Sequence, residues 1–193
     1  VTGSTRISEA LTSSAWDSAD PTLVAAIAVL VAVSAMTKSA QFPFHSWLPD
    51  AMAAATPVSA YLHAAAVVKA GVFLLIRFSP AFHDVVAWNV LLIVAGLVTT
   101  AIGGWFALNQ SDIKKLMAYS TVSQLGLITA AIGVGTETAM VAAVLHVIAH
   151  ALFKSGLFMM VGVVDHLAHT REVGAIPRLI GRAPASFAVV VLG

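Results

Sequence analysis

Apolar residues run along this chain in long blocks, broken by short polar connections. Five blocks reach the roughly 20 residues that a helix needs to cross a bilayer. They cover about Leu23 to Phe42, Val58 to Phe78, Val85 to Leu108, Leu116 to Val134 and Ala139 to Val164. A sixth begins near Ala185 and includes the apolar run Phe187–Leu192. Polar stretches at Asn109–Lys115, Gly135–Thr138 and Asp165–Arg182 join the later blocks. No long linker or low-complexity tract divides them. The pattern predicts an all-α, polytopic transmembrane helix bundle: residues 1–22 form a loop outside the membrane, and residues 23–193 form one membrane domain. Two helix starts have local signals. Thr56-Pro57 suits an N-cap followed by proline at the first helical position, where a missing N–H costs nothing. Ser111 or Asp112 suits the cap of the fourth helix.

Composition agrees with the blocks. Of 193 residues, 59% are hydrophobic and 10% charged, and the mean hydropathy is +0.93. A soluble domain carries about 25% charged residues as its polar coat, so lipid is the expected solvent for most of this chain. A net charge of +1 with no basic run gives no sign of nucleic-acid binding. Cysteine is absent, which removes disulfides and thiolate metal sites. The polar, mixed opening is not a signal peptide. A start at Val1 and a stop within an apolar run are expected of a piece of a longer polypeptide.

Loop charges orient the bundle. With alternating loops, one side receives Lys114, Lys115, Arg171, Arg178 and Arg182, and the other receives Arg6 and Arg77. The positive-inside rule makes the first side cytoplasmic and the 1–22 segment extracytoplasmic.

The chemistry lies in ionisable residues within the apolar blocks. Lys38 is near the end of the first block, Lys69 is mid-block in the second, and Lys154 shares the fifth with His146 and His150; His63 is also in the second. A lysine at a helix centre costs about 2.5–3.5 kcal/mol on the insertion scale. Such residues face a bundle interior or a watery path, where burial turns lysine into an exchangeable proton carrier. His146, His150 and Lys154 are spaced i, i+4, i+8, each step turning roughly 40°, so the three climb one helix face over roughly 12 Å. Histidine titrates near neutral pH, which suits repeated proton transfer. Blander readings stand beside this one. Lys38 could snorkel to an interface, and Lys69 and Lys154 could sit in structural ion pairs. The histidine pair lacks the glutamate of the zinc protease pattern, so no metal is expected. Pro43 disfavours helix at Phe42. The first helix should therefore break or kink within a turn or two of Lys38, as at a cavity-lining broken helix, or else simply end with Phe44–Trp47 at the interface.

Four strings carry a family resemblance: Thr37-Lys-Ser-Ala-Gln-Phe-Pro-Phe-His-Ser-Trp-Leu-Pro-Asp-Ala-Met52, Thr56-Pro-Val-Ser-Ala-Tyr-Leu-His63, Ser111-Asp-Ile-Lys-Lys-Leu-Met-Ala-Tyr-Ser-Thr-Val-Ser-Gln-Leu-Gly126 and His146-Val-Ile-Ala-His-Ala-Leu-Phe-Lys154. In order and spacing they resemble the antiporter-like subunits of respiratory complex I and the large subunits of Mrp-type sodium/proton antiporters. Gly162-Val-Val-Asp-His166 with Thr170-Arg-Glu172 looks most like the A-type subunit of Mrp antiporters. The resemblance implies two inverted five-helix repeats, each with a broken helix. Lys38 then matches the central lysine of the first half-channel, which works with a glutamate on an earlier helix. His63 and Lys69 match the helix linking the halves, and His146, His150 and Lys154 match the relay feeding the second half, whose exit-side charged residue would lie beyond Gly193. Lys114 and Lys115 are read as topology signals on a cytoplasmic turn. The implied protein is a cell-membrane component of a hetero-oligomeric monovalent cation/proton antiporter exchanging protons, with Na+ as the implied cation, and it is not an enzyme. The alternative is a proton-pumping component of complex I or a membrane-bound hydrogenase, and a third reading is a structural scaffold. No cofactor is expected, since the segment has no dinucleotide motif.

Overall fold

The computed structural model describes residues 6–11 and 16–175. The region of the expected sixth helix, with Arg178 and Arg182, lies outside the described residues. In chain order the helices are α1 (Ile7–Leu11), α2 (Pro21–Lys38), α3 (Trp47–Asp50, extended by a tight turn over Ala51–Ala53), α4 (Thr56–Ala60), α5 (Val67–Phe82), α6 (Val86–Leu108), α7 (Ile113–Val134) and α8 (Glu137–Ala168). Among the described residues the sole β-pairing is one isolated antiparallel bridge, Asp112 with Glu172. Among the described residues, five segments are long and apolar enough to cross a membrane: Pro21–Lys38, Thr56–Phe82, Val86–Leu108, Ile113–Val134 and Glu137–Ala168. These are the five predicted blocks, with shifted ends. The last helix runs past Val164 to Ala168 and takes in Asp165, which the hydropathy pattern assigns to a loop.

The helix starts follow from capping. Asp20 accepts hydrogen bonds from Thr22 N (2.8 Å) and Leu23 N (3.1 Å), with Pro21 in the first turn of α2. Asp112 accepts from Lys114 N (2.8 Å) and Lys115 N (3.3 Å), so it and not Ser111 caps α7. Thr136 Oγ1 accepts from Ala139 N at 3.3 Å and caps α8. Thr56 is a correction. It is the first residue of α4, Ala55 holds the cap position, and no side chain caps this helix. Pro57 in the first turn is the signal that holds.

The helices alternate in direction. One end of the bundle carries Asn109–Asp112, the turn at Ala54 before α4 and the connection after α8 (the Ser111 end). The other carries the turns at His83–Val85 and Gly135–Thr136 (the Asp84 end). At the Ser111 end, the chain after α8 is tied to the start of α7 by Ile113 N donating to Arg171 O (2.9 Å) and Val173 N donating to Ser111 O (2.8 Å).

The break after α2 is deep in the bundle. Gln41 N reaches back to Met36 O at 3.0 Å, and Ala40 takes a left-handed backbone with φ 51°. That is the helix-ending geometry usually given to glycine. A Cβ on Gly71 would meet Ser39 N at 2.8 Å, so the break packs directly on α5. Gly71 lies about 16 Å along α5 from Phe82, near mid-depth. Phe42 N, released by the break, donates to Thr99 Oγ1 in the middle of α6 at 2.9 Å. Leu48, Pro49 and Met52 beyond the break are buried. The chain past the break thus stays packed on the bundle through these residues, while Phe42 and Phe44 are exposed, and this packing favours a broken helix over a simple helix end.

The span α4–α5 is interrupted too. Tyr61–Ala65 forms a π-helical turn carrying His63, a wider turn that is common at functional positions. Helices α6 and α7 pack most closely, because Gly96 and Gly126 face one another: a Cβ on Gly96 would lie 2.6 Å from Gly126 O. Ser123 Oγ donates to Thr100 O at 2.9 Å across the same seam.

A buried basic ladder as the candidate site

Burial separates the ionisable residues. Lys114, Lys154, Lys69, His63 and His150 are 2%, 2%, 9%, 0% and 0% exposed. His146 is half-buried, and Lys38 is exposed at the last residue of α2. Among the described residues the salt bridges are Arg6–Glu9, His83–Asp84 and Arg171–Asp112. None of these involves Lys154, whose partners are neutral oxygens, so the alternative of a structural ion pair at that position is not what this part of the fold uses.

Each group is placed by a different helix. Lys69 Nζ on α5 lies 3.2 Å from His150 Nδ1 on α8. An ammonium can only donate, so Nδ1 accepts and a neutral His150 carries its proton on Nε2. Lys154 Nζ, one turn away on α8, donates to Ser120 Oγ (2.9 Å) and Met117 O (3.4 Å) of α7. His146, one turn the other way, pairs its Nε2 with Gln124 Oε1 of α7 at 2.7 Å. The three members of the predicted α8 row thus turn to α7, α5 and α7 in alternation. His146 and His150 have separate partners on separate helices, so the pair is not gathered onto one metal.

His63 completes the group from the π turn. Its ring lies 4.9 Å, centroid to centroid, from Phe158, and the charged side chains that act on it are Lys154, Lys114 and Lys69. Both its ring nitrogens, and His150 Nε2, are buried without a protein hydrogen-bond partner. Buried polar atoms of this kind are normally satisfied by water or by an exchanging partner.

Lys114 corrects the sequence reading. It is in the second position of α7, yet buried, with Nζ donating to Ala54 O just before α4. Lys115, beside it, is exposed and remains a surface charge. Measured along α7, Lys114 is at the Ser111 end, the Lys154 partner Ser120 about 10 Å in, and the His146 partner Gln124 about 16 Å in. The basic groups therefore rise in steps from one membrane face to mid-depth. Ser120 and Gln124 were not singled out from sequence. Their signal is a polar stretch, Ser120, Thr121, Ser123 and Gln124, inside an apolar helix. The Lys38 side chain makes no hydrogen bond or ion pair among the described residues, and it stands at the break, on the helix that packs against Gly71 of α5. A surface cavity of about 690 Å³ is lined by Trp16, Asp17, Val24, His83 and Asp84 at the Asp84 end. None of the ladder residues lines that cavity.

Five membrane-length helices, one broken at mid-depth, around a column of buried basic groups define a polytopic membrane protein with an ionisable axis. Comparisons make the class specific. The profile of the family described as NADH:quinone oxidoreductase/Mrp antiporter, TM, matches residues 1–193, and the chain belongs to that family. It is 55% identical over 151 residues to the A/B subunit of a probable K(+)/H(+) antiporter of Rhizobium meliloti (strain 1021), covering 78% of this chain and 15% of that protein. It is 44% identical over 176 residues to the A-type subunit of the Na(+)/H(+) antiporter of Bacillus subtilis (strain 168), covering 86% and 22%. Among solved structures, a chain of the Mrp complex from Dietzia sp. DQ12-45-1b superposes with a TM-score of 0.94 at 61% identity, over 99% of this chain and 21% of that one. A chain of the membrane-bound sulfane sulfur reductase, an archaeal respiratory membrane complex, gives 0.82 at 31% identity, over 90% and 36%. The chain spans about a fifth of the length of the antiporter relatives it matches.

Proposed function

We propose that this chain is the central proton-conducting part of an A-type subunit in a multi-subunit monovalent cation/proton antiporter of the plasma membrane, a secondary transporter that is not an enzyme. The observation that carries the reading is the Lys69–His150 contact, 3.2 Å between buried groups on different helices. An ammonium facing an imidazole nitrogen is a donor facing an acceptor. Transfer breaks one Nζ–H bond and forms one at Nδ1, and the imidazolium then releases the proton on Nε2. Lys154 and His63 stand next on the Ser111 side, and Lys114 reaches that face. His146 stands next on the Asp84 side, and Lys38 marks the break toward the first repeat. The identities, 61% with the Mrp chain against 31% with the reductase chain, favour the antiporter over the redox-driven pump. The relatives' names, one with K(+) and one with Na(+), support a monovalent cation, and we take Na+ as the one the sequence resemblance implies. The other membrane proteins of the complex are its partners. The segment ahead of α2, expected as a loop over residues 1–22 but carrying α1 and ending at the Asp20 cap, lies on the extracytoplasmic side, and the chain from α2 onward belongs to the conducting domain.

The test uses the full complex in vesicles, with cation-driven proton movement normalised to assembled protein. Lys69→Ala and His150→Ala are each expected to slow transport at least tenfold. The double variant should be no worse than the more severe single, because either change already cuts the same link. Normal transport by both single variants would remove the ladder from the proton path.

A further inference from the structure

The three ladder histidines differ in how their two nitrogens are committed. His63 has both free of protein partners, and His150 has Nδ1 on Lys69 and Nε2 free. His146 alone has a ring nitrogen held by a group that carries no exchangeable charge: Nε2 faces Gln124 Oε1 at 2.7 Å. We propose that Gln124 is a positioning residue that fixes the tautomer of His146 and limits its proton exchange to Nδ1. This deepens the antiporter reading and rests on it, by assigning how one member of the path is controlled.

The chemistry is short. A carboxamide oxygen only accepts, so the nitrogen that faces it must carry a proton, whether His146 is neutral or protonated. The lone pair of neutral His146 is then always on Nδ1. A proton that arrives there must also leave from there unless the ring turns over, and turning over would break a short, half-buried hydrogen bond. His146 therefore loads and unloads at one atom, whereas His150, with Nδ1 facing the exchangeable Lys69 ammonium and Nε2 free, can pass a proton through. The difference comes from α7 alone, because Gln124 is one turn beyond Ser120, which holds Lys154. Two side chains spaced i, i+4 on one helix thus orient the two outer members of the α8 row. The ionisable groups toward His146 are His150 on its own helix and, beyond it, Lys69 on α5. Gln124 is the α7 contribution and is uncharged.

Gln124→Glu places a carboxylate on the same nitrogen and strengthens the hold of His146 on its proton. An opposite charge at this range shifts a titration by about 1–3 units. The transport pH midpoint of the full complex is expected to rise by about one unit or more. Gln124→Leu keeps the bulk and removes the acceptor, so the midpoint should fall and the rate per assembled complex should drop severalfold. Combining either change with His146→Ala should erase its shift. 15N-histidine spectra of the complex, with His146→Ala assigning the signal, should place the neutral proton on Nε2 in the parent and on both nitrogens in Gln124→Leu. An unmoved midpoint in either variant, or a parent signal with the proton on Nδ1, overturns the role of Gln124. If His146→Ala itself transports normally, the relay reading fails at His146, which is a separate result.

Discussion

Lys114 and Lys115 are adjacent in sequence and opposite in surroundings. The step between neighbours on a helix is about 100°, so when one faces the bundle the other faces out. Lys114 is buried against Ala54 O, and Lys115 is exposed. From sequence the two were indistinguishable, because both follow the Asp112 cap in a polar turn and loop counting treats them alike. What decides between them is the chain around Ala54, some 60 residues earlier, and no local pattern reports that. By contrast Lys69, Lys154, His63 and His150 were legible, because a charge inside an apolar block has few other uses. Lys114→Met is expected to slow proton-coupled transport per assembled complex several-fold, and Lys115→Met to leave it within about twofold. Equal effects at the two positions, read in the same vesicle assay, would mean that the burial of Lys114 is irrelevant to transport. Ala40 makes a separate test of backbone strain. Its φ of 51° costs a non-glycine residue about 1–2 kcal/mol, so Ala40→Gly should raise the thermal midpoint of the purified protein or leave it unchanged. A clear fall would mean that this turn does not carry that strain.

At the scale of elements, Pro43 signals the break in α2 but not its support. The support is Thr99 on α6, which accepts from Phe42 N at 2.9 Å while donating to Ala95 O at 2.6 Å. Thr99 sits in a block that reads as an uninterrupted apolar helix, so its role is visible only once α6 is laid against the break. Helix α6 is held at that place by its seam with α7. A Cβ on Gly96 would meet Ala130 N at 2.5 Å, while one on Gly104 meets nothing closer than Ser123 Oγ at 3.7 Å. Overpacking a well-filled interface costs about 1–3 kcal/mol. Gly96→Ala is therefore expected to lower the yield and thermal midpoint of the assembled protein, and Gly104→Ala to be tolerated. Comparable losses in both would show that helix propensity, and not the close approach, sets the outcome. The π turn around His63 had no sequence signal. Thr56-Pro57 marks where the span starts, and nothing local reports the extra residue in the turn.

The whole molecule is ordered across the membrane by two sets of loops, and the direction of the basic ladder depends on which set faces the cytoplasm. The structure settles which loops lie together. Asp112, Arg171 and Glu172 meet at one end, with Ile113 N and Val173 N tying the strands of chain into a clasp. His83, Asp84 and the Gly135–Thr136 turn are at the other. That pairing follows from counting helices, which is why five apolar blocks made it legible in sequence. The sign of the axis follows from charge alone. Lys114, Lys115 and Arg171 are at the Ser111 end, Arg77 and the segment of Arg6 lie toward the Asp84 end, and the remaining votes, Arg178 and Arg182, lie outside the described residues. The positive-inside rule predicts that the Ser111 end faces the cytoplasm, and on the proposed reading the ladder then opens there at Lys114 and climbs to His146 at mid-depth. This segment has no cysteine, so a single cysteine introduced into it is its one labelling site, read against the unsubstituted complex. Ser111 and Asp84 are both exposed, and neither belongs to the ladder. In oriented membranes holding the full complex, Ser111→Cys is expected to react with an impermeant maleimide only from the cytoplasmic face, and Asp84→Cys only from the outer face. Labelling of both from one face would break the pairing of loops and with it the helix count. Exchange of the two faces would keep the fold but reverse the ladder, making Lys114 the outer terminus and moving the proton intake to the other side of the membrane.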